Sequence, residues 1–223
     1  MPEFASHPVE VRGRQQEESF MVNRDRKLEY LVKLAVLTAI VLLMAYTPLG
    51  YLKVGALSIT FIVIPVAIGG IILGPAAGAF LGLVFGLTSF AQCFGTDPFG
   101  MALLAIDPVR TFIMCILPRV ICGFGSAYIF KLLKKIDKTK LLSYIGGSLA
   151  APLLNTFLVL GSLIPLFGSS ELIMGMRGNM NIVAFILTIA GVNGLVEAAA
   201  CGVVSSAVAK AIDAATGRSR KRI

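Results

Sequence analysis

The 223-residue chain has no tryptophan, one histidine and few charges, with only 14% of its residues Asp, Glu, Lys or Arg. A soluble domain averages about 25% charged residues. With 57% hydrophobic residues and a mean hydropathy of +0.86, this chain is an integral membrane protein with little extramembrane mass. The lone His7 lies in the polar N-terminal tail, so an intramembrane protease or metalloenzyme that depends on histidine has none to use. Cys93, Cys115, Cys122 and Cys201 contain no C-x-x-C pair and mostly sit in apolar segments, which reads as small core residues without a metal site or disulfide framework. No Gly-x-x-x-x-Gly-Lys-Ser/Thr loop occurs, so the chain carries no phosphate loop for ATP hydrolysis of its own.

What is present is hydrophobic length. Residues 54–90 carry no formal charge and are punctuated by Gly70, Gly74, Gly78, Gly82 and Gly86. That run is too long for one membrane helix, and Gly74-Pro75 is the natural break, with Pro75 in a first helical turn. A glycine at every fourth position leaves a bare groove where a neighbouring helix can approach closely. The apolar segments accommodate about six spans of roughly 20 residues. They are expected at about residues 28–46, 59–73, 75–91, 108–130, 141–166 and 180–211, forming an all-α bundle. Pro118 is expected to kink the fourth, and Pro152 to break the fifth. Residues 92–107 and 168–179 read as loops. Residues 1–23 read as a disordered tail or a leader outside the fold, 24–215 as one six-helix domain, and 216–223 as a basic tail.

The net charge of +8 sits mostly beside the spans: before the first, in the connector KLLKKIDKTK (131–140), and in the C-terminal tail. This is a positive-inside pattern and excludes nucleic acid as the reason for the charge. Six spans then place both termini in the cytoplasm. No repeat of one half in the other is visible, which argues against an inverted-repeat carrier.

Unpaired charges inside a bilayer are costly and mark function. Arg119 in the fourth span and Glu197 in the sixth are such charges, and Arg110 stands near the start of the fourth. Asn193 and Glu197 share a helical face, and Asn155 lies beside Pro152. One reading is an outward-facing cavity that hydrogen-bonds a polar solute. Another is an Arg119–Glu197 ion pair that pins two helices, and a third has Arg119 snorkelling at the rim. Arg110 is placed to pair with Asp107 at i,i+3 or to touch a ligand. Tyr46, Tyr51, Phe90, Phe94 and Phe99 gather near the predicted outer boundary, as an interfacial belt or, for Tyr51 and Phe94, as part of a lid. Ala35-x-x-x-Ala39 and the 190-194-198-202-206 series are small-residue faces for internal packing or for docking another subunit.

Taken together, AVLTA (35–39), TPLGYLKVG (47–55), the run 64–90, DPF (97–99), LPR (117–119) and NGLVE (193–197) resemble the substrate-binding S-components of energy-coupling factor (ECF) vitamin transporters. The resemblance covers about residues 27–210 and looks most like the pantothenate subgroup, with folate, cobalamin, riboflavin or another vitamin as alternatives. It implies a non-enzymatic, cofactor-free six-helix subunit of a bacterial cell membrane. Such a subunit captures its vitamin on the extracellular side and docks on a transmembrane T-component served by two cytoplasmic ATPases. It assigns docking to Ala35 and Ala39. A stand-alone carrier or channel is the reading from a different class. It would need a continuous polar path, whereas intramembrane charge here is confined to a few positions.

Overall fold

A computed structural model describes residues 8–48, 50–54, 57–136 and 141–215, with the side chains of 8–19, 52–59, 141, 189–190, 192–193 and 212–215 excepted. The elements in order are α1 (Pro8–Ala45), β1 (Tyr51–Val54), β2 (Leu57–Thr60), α2 (Val63–Leu73), α3 (Pro75–Gln92), α4 (Pro98–Ile106), α5 (Pro108–Ile136), α6 (Leu141–Phe167), α7 (Glu171–Arg177) and α8 (Ile182–Ala215). The chain divides into two compact units, Met1–Val36 and Leu37–Ile223. In the first, α1 starts at Pro8, within the stretch read from sequence as a tail, and Glu29 and Lys33 form an i,i+4 ion pair.

Among the described residues five helical segments are long and apolar enough to cross a membrane: Phe20–Ala45, Pro75–Gln92, Pro108–Ile136, Leu142–Phe167 and Gly194–Ala211. The membrane-spanning helical architecture is therefore as expected, but the second span is corrected. α2 has 11 residues and is about 16 Å long at 1.5 Å per residue, half of a bilayer core of about 30 Å. The residues before it form an antiparallel hairpin in which Tyr51 faces Thr60 and Val54 faces Leu57. Tyr51, Val54, Ile59 and Thr60 are strand formers that favour this pairing over helix. The two expected loops are also corrected, since each carries a short helix, α4 and α7. Pro98 opens α4 at N1 or N2, and Ser170 caps α7 by accepting the Ile173 N–H.

The break at Gly74-Pro75 is where the sequence placed it. Gly74 adopts φ 101°, a left-handed conformation that a side chain would resist, and Pro75 starts α3. The glycine ladder then sets the register of α3 against α5. A Cβ on Gly78 would lie 2.3 Å from the Gly123 carbonyl oxygen, one on Gly82 would lie 2.3 Å from the Arg119 oxygen, and one on Gly86 would lie 2.9 Å from the Cys115 oxygen. Each step of four along α3 matches a step of four backwards along α5. The two helices are antiparallel, with their backbones in contact.

The same antiparallel logic continues through the second unit. Cys122 Sγ approaches the Ala151 oxygen at 3.0 Å between α5 and α6. A Cβ on Gly202 or Gly194 of α8 would meet Leu149 or Thr156 of α6, so for those two positions the small-residue face of α8 serves internal packing. Two apolar clusters plug the ends. Leu103, Met114, Leu160, Leu163, Phe167, Ile173 and Phe185 join α4 to α8 at one end, and Ile71, Phe130, Tyr144 and Ala209 close the other. All four cysteines are free and buried.

Candidate functional site

Between the two apolar clusters lies a belt of polar side chains. Its centre is Arg119, and the local sequence explains its posture. Pro118 sits inside α5 and is buried. It has no backbone N–H, so the Met114 carbonyl loses the donor that a regular helix would supply four residues on. Arg119 fills the vacancy, its Nη1 donating to Met114 O at 2.7 Å. Long side chains in a helix lean back toward its N-terminus, which carries this guanidinium toward α3. There Nη2 donates to Ser89 Oγ at 3.3 Å, and the cation lies 5.5 Å from the centre of the Phe85 ring. The other face of the site is Tyr51 of β1, whose ring packs on Phe85 with centroids 6.5 Å apart.

Three polar atoms in this belt are buried and have no hydrogen-bond partner among the described residues: Arg119 Nε, Tyr51 Oη and Asn155 Oδ1. Ser89 and Thr88 are polar neighbours of Tyr51, without a hydrogen bond of good geometry to it. Asn155 is one turn along α6 from Ala151, which Cys122 of α5 touches, so Asn155 faces the stretch of α5 that holds Arg119. Buried polar groups are nearly always paired, so these three atoms are the candidates for contact with a bound molecule.

Glu197 is buried on α8, and its oxygens are occupied. Oε1 accepts the Thr60 backbone N–H at 2.6 Å, and Oε2 accepts the Thr156 hydroxyl at 3.4 Å. The carboxylate thus satisfies a strand-end N–H that hydrocarbon could not, and ties the hairpin to α8. The neutralising Arg119–Glu197 ion pair weighed from sequence is not formed among the described residues, because each partner is engaged elsewhere. Nor does Arg119 snorkel at the rim, since its side chain turns back into the bundle. Glu197→Ala is expected to leave the Thr60 N–H unsatisfied, at a cost of about 1–3 kcal/mol. Thermal unfolding in detergent would show a lowered midpoint, and limited proteolysis would show faster cleavage in the hairpin. Glu197→Gln, which keeps one acceptor oxygen, should recover most of both. An alanine variant as resistant as the parent would mean that the carboxylate does not hold the hairpin.

The remaining sequence candidates fall elsewhere. Asp107 precedes α5, and its Oδ1 accepts the N–H groups of Val109 and Arg110 at 2.9 and 3.0 Å. Arg110 Nε pairs with Asp107 Oδ2 at 3.1 Å, while Nη1 donates to the Leu166 carbonyl at the end of α6. Arg110 is therefore engaged in an ion pair and a helix C-cap, a favourable place for a cation. Phe94 is 68% exposed and makes an edge contact with Phe90. The Asn193 side chain lies outside the described residues, as does part of the 49–56 loop. Ala35 and Ala39 are exposed on α1. A separate cavity, lined by Ile164, Gly168, Ile173, Arg177 and Phe185 among others, opens between α6, α7 and α8.

Sequence reasoning missed Phe85, Ser89, Thr60 and Thr156. Phe85 and Ser89 are four apart on α3, and a lone serine one turn from an aromatic in a charge-free helix was the available signal. Thr60 contributes its backbone N–H, for which side-chain chemistry gives no cue.

The family model for the ECF transporter, substrate-specific component, matches residues 29–209. A pantothenate transporter, PanT, of Leuconostoc mesenteroides is 31% identical over 184 residues, covering 78% of this chain and 86% of the relative. A pantothenic acid transporter, PanT, of Lactococcus lactis subsp. cremoris is 32% identical over 120 residues, covering 50% of this chain and 59% of the relative.

Proposed function

Because the chain belongs to the family of substrate-specific components of ECF transporters, we propose that it captures pantothenate in the belt around Arg119. Members of this family are membrane-spanning transport subunits, not enzymes. The observation that carries the choice of ligand is a cation in the bundle that, among the described residues, has no carboxylate partner and keeps Nε buried and unpaired. Leaving such a charge uncompensated costs several kcal/mol. Pantothenate brings a carboxylate for the guanidinium, and it also carries hydroxyls and an amide. Tyr51 Oη can donate and accept, and Asn155 Oδ1 accepts. The two PanT relatives support the same assignment.

Orientation follows from the basic residues. Lys131, Lys134 and Lys135 end α5 on the side away from the hairpin, so that side is cytoplasmic and the hairpin end extracellular. The vitamin then enters from outside beneath the 51–60 hairpin, with Glu197 as the hairpin's anchor and not a ligand contact. Asn193, four residues before Glu197 in the sequence, is the further candidate ligand contact on α8. Uptake needs a transmembrane T-component and two ATPases, since the chain has no phosphate loop.

Mass spectrometry of the small molecule released from the purified protein tests the ligand assignment. Pantothenate is the expected species, and stoichiometric release of a different vitamin would overturn it. The exposed Ala35–Ala39 face is the docking surface for the T-component, where small residues let backbones approach. Ala39→Leu is expected to cut uptake by cells at least tenfold while leaving pantothenate affinity within twofold. Undiminished uptake would remove the docking assignment.

A further inference from the structure

We infer that Pro118 is a positioning residue for ligand recognition: by withholding a backbone N–H it reserves the Met114 carbonyl for Arg119 and so fixes the position from which the guanidinium meets a carboxylate. The inference rests on the reading that Arg119 receives the ligand's carboxylate. The guanidinium has two forks able to hold a carboxylate by two parallel bonds, an end-on fork from Nη1 and Nη2 and a side-on fork from Nε and Nη2. One N–H of Nη1 is committed to Met114 O at 2.7 Å, which ties the guanidinium to the turn of α5 that precedes it. Among the described residues the buried Nε has no partner, and Nη2 holds only the long contact to Ser89 Oγ at 3.3 Å. Release of the Met114 contact would let the guanidinium swing and would change the fork that a carboxylate meets.

The arrangement depends on the residue at 118 in a direct way. Any other amino acid there would supply an N–H four residues beyond Met114 and allow the turn to close. The carbonyl would then be drawn into the helix hydrogen-bond ladder. Proline instead removes that donor, and its ring pushes the carbonyl aside. In a bilayer an orphaned carbonyl needs a donor from within the protein, and the next residue in the chain supplies it. Proline and arginine thus work as a pair: one creates the acceptor and the other is held by it. The 5.5 Å contact with Phe85 keeps the guanidinium plane from leaving once Nη1 is fixed.

The test is Pro118→Ala in the full-length protein, with affinity measured by calorimetry for pantothenate and for pantothenol, in which an alcohol replaces the carboxylate. Alanine is the better helix former, and Pro118→Leu serves the same purpose should alanine leave a void at this buried position. The expected result is about a tenfold loss of pantothenate affinity with pantothenol affinity within twofold. In an Arg119→Ala background the Pro118 substitution should have no further effect on pantothenate. An equal loss for both ligands, or no loss for either, would overturn the inference, because a purely structural proline does not discriminate by ligand charge. A second readout is independent of the ligand. In 15N-arginine-labelled protein in nanodiscs, the Arg119 Nη1 and Nη2 groups should give separate NMR signals, as hindered rotation requires, and these should merge in Pro118→Ala. Unchanged signals would overturn the positioning role even if pantothenate proved to be the wrong ligand. Conversely, merged signals without any pantothenate preference in the parent protein would leave the positioning role standing and refute only the ligand assignment.

Discussion

Arg119→Ala is expected to weaken pantothenate binding by about 30-fold to several thousand-fold. Truncating one partner of a buried, hydrogen-bonded charge pair costs about 2–5 kcal/mol, and each 1.4 kcal/mol is a factor of about ten in affinity. The expectation rests on Arg119 being the cation of the polar belt that has no carboxylate among the described residues. Its contacts are a carbonyl, a hydroxyl and an aromatic face. Arg119→Lys should recover only part of the loss, since an ammonium is a point charge and cannot present a planar fork. The neutral contacts are smaller. Tyr51→Phe and Asn155→Ala each remove one neutral hydrogen bond, about 0.5–1.5 kcal/mol, or about two- to tenfold. Isothermal titration of the four variants ranks them, and an Arg119→Ala variant that loses no more than Tyr51→Phe would contradict the central role of the cation.

Gly82→Ala is expected to destabilise the protein despite alanine's higher helix propensity. The new Cβ would fall 2.3 Å from the Arg119 carbonyl oxygen, and that obstacle is backbone, not a side chain able to rotate away. Overpacking of this kind costs about 1–3 kcal/mol, which outweighs the roughly 1 kcal/mol that alanine gains over glycine in a helix. The shift would also push apart the stretch of α5 that holds Arg119 and the stretch of α3 that holds Ser89. Pantothenate affinity should therefore fall together with stability. Gly161→Ala is the matched control. No atom lies within 4 Å of its added Cβ, and its φ is unexceptional, so that variant should be neutral or slightly stabilised. Thermal unfolding in detergent, with and without pantothenate, separates the two. Equal midpoints for Gly82→Ala and the parent would mean that the α3–α5 interface is looser than the register implies.

Much of this architecture was legible from sequence because it depends on local patterns. The Gly74-Pro75 break follows from a residue that tolerates positive φ beside one that starts helices. The Asp107–Arg110 pair follows from i,i+3 spacing at a helix start. The glycine ladder announced a close helix contact, but the partner stretch on α5 could not be read, since only the fold reveals which helix enters a groove. The polar residues were found by the rarity of charge in the spans. Their partners were not, because those partners lie far away along the chain or are backbone atoms. Glu197 binds the N–H of Thr60, 137 residues away, and Arg119 binds a carbonyl that only its neighbouring proline sets free. The hairpin and the helices α4 and α7 were hidden for a different reason. They are short, and in segments of four to nine residues hydrophobic periodicity does not separate helix, strand and loop.

The relation between scaffold and site is direct. α3 gives the glycine face that lets α5 approach, and the same helix contributes Phe85 and Ser89 to the guanidinium. The apolar clusters above and below the belt keep it away from bulk water, where a charge-assisted hydrogen bond would be worth less. The hairpin supplies Tyr51 and is held by Glu197 on the opposite side. Close packing, a proline-freed carbonyl and an anchored hairpin all converge on one arginine.

The most direct measurement is the affinity of the purified, ligand-depleted protein for pantothenate against pantothenol, which differ only at the group that Arg119 is proposed to meet. Pantothenate is expected to bind at least 30-fold more tightly in the parent protein, with that preference abolished in Arg119→Ala. Equal affinity for the two compounds in the parent protein would contradict this expectation.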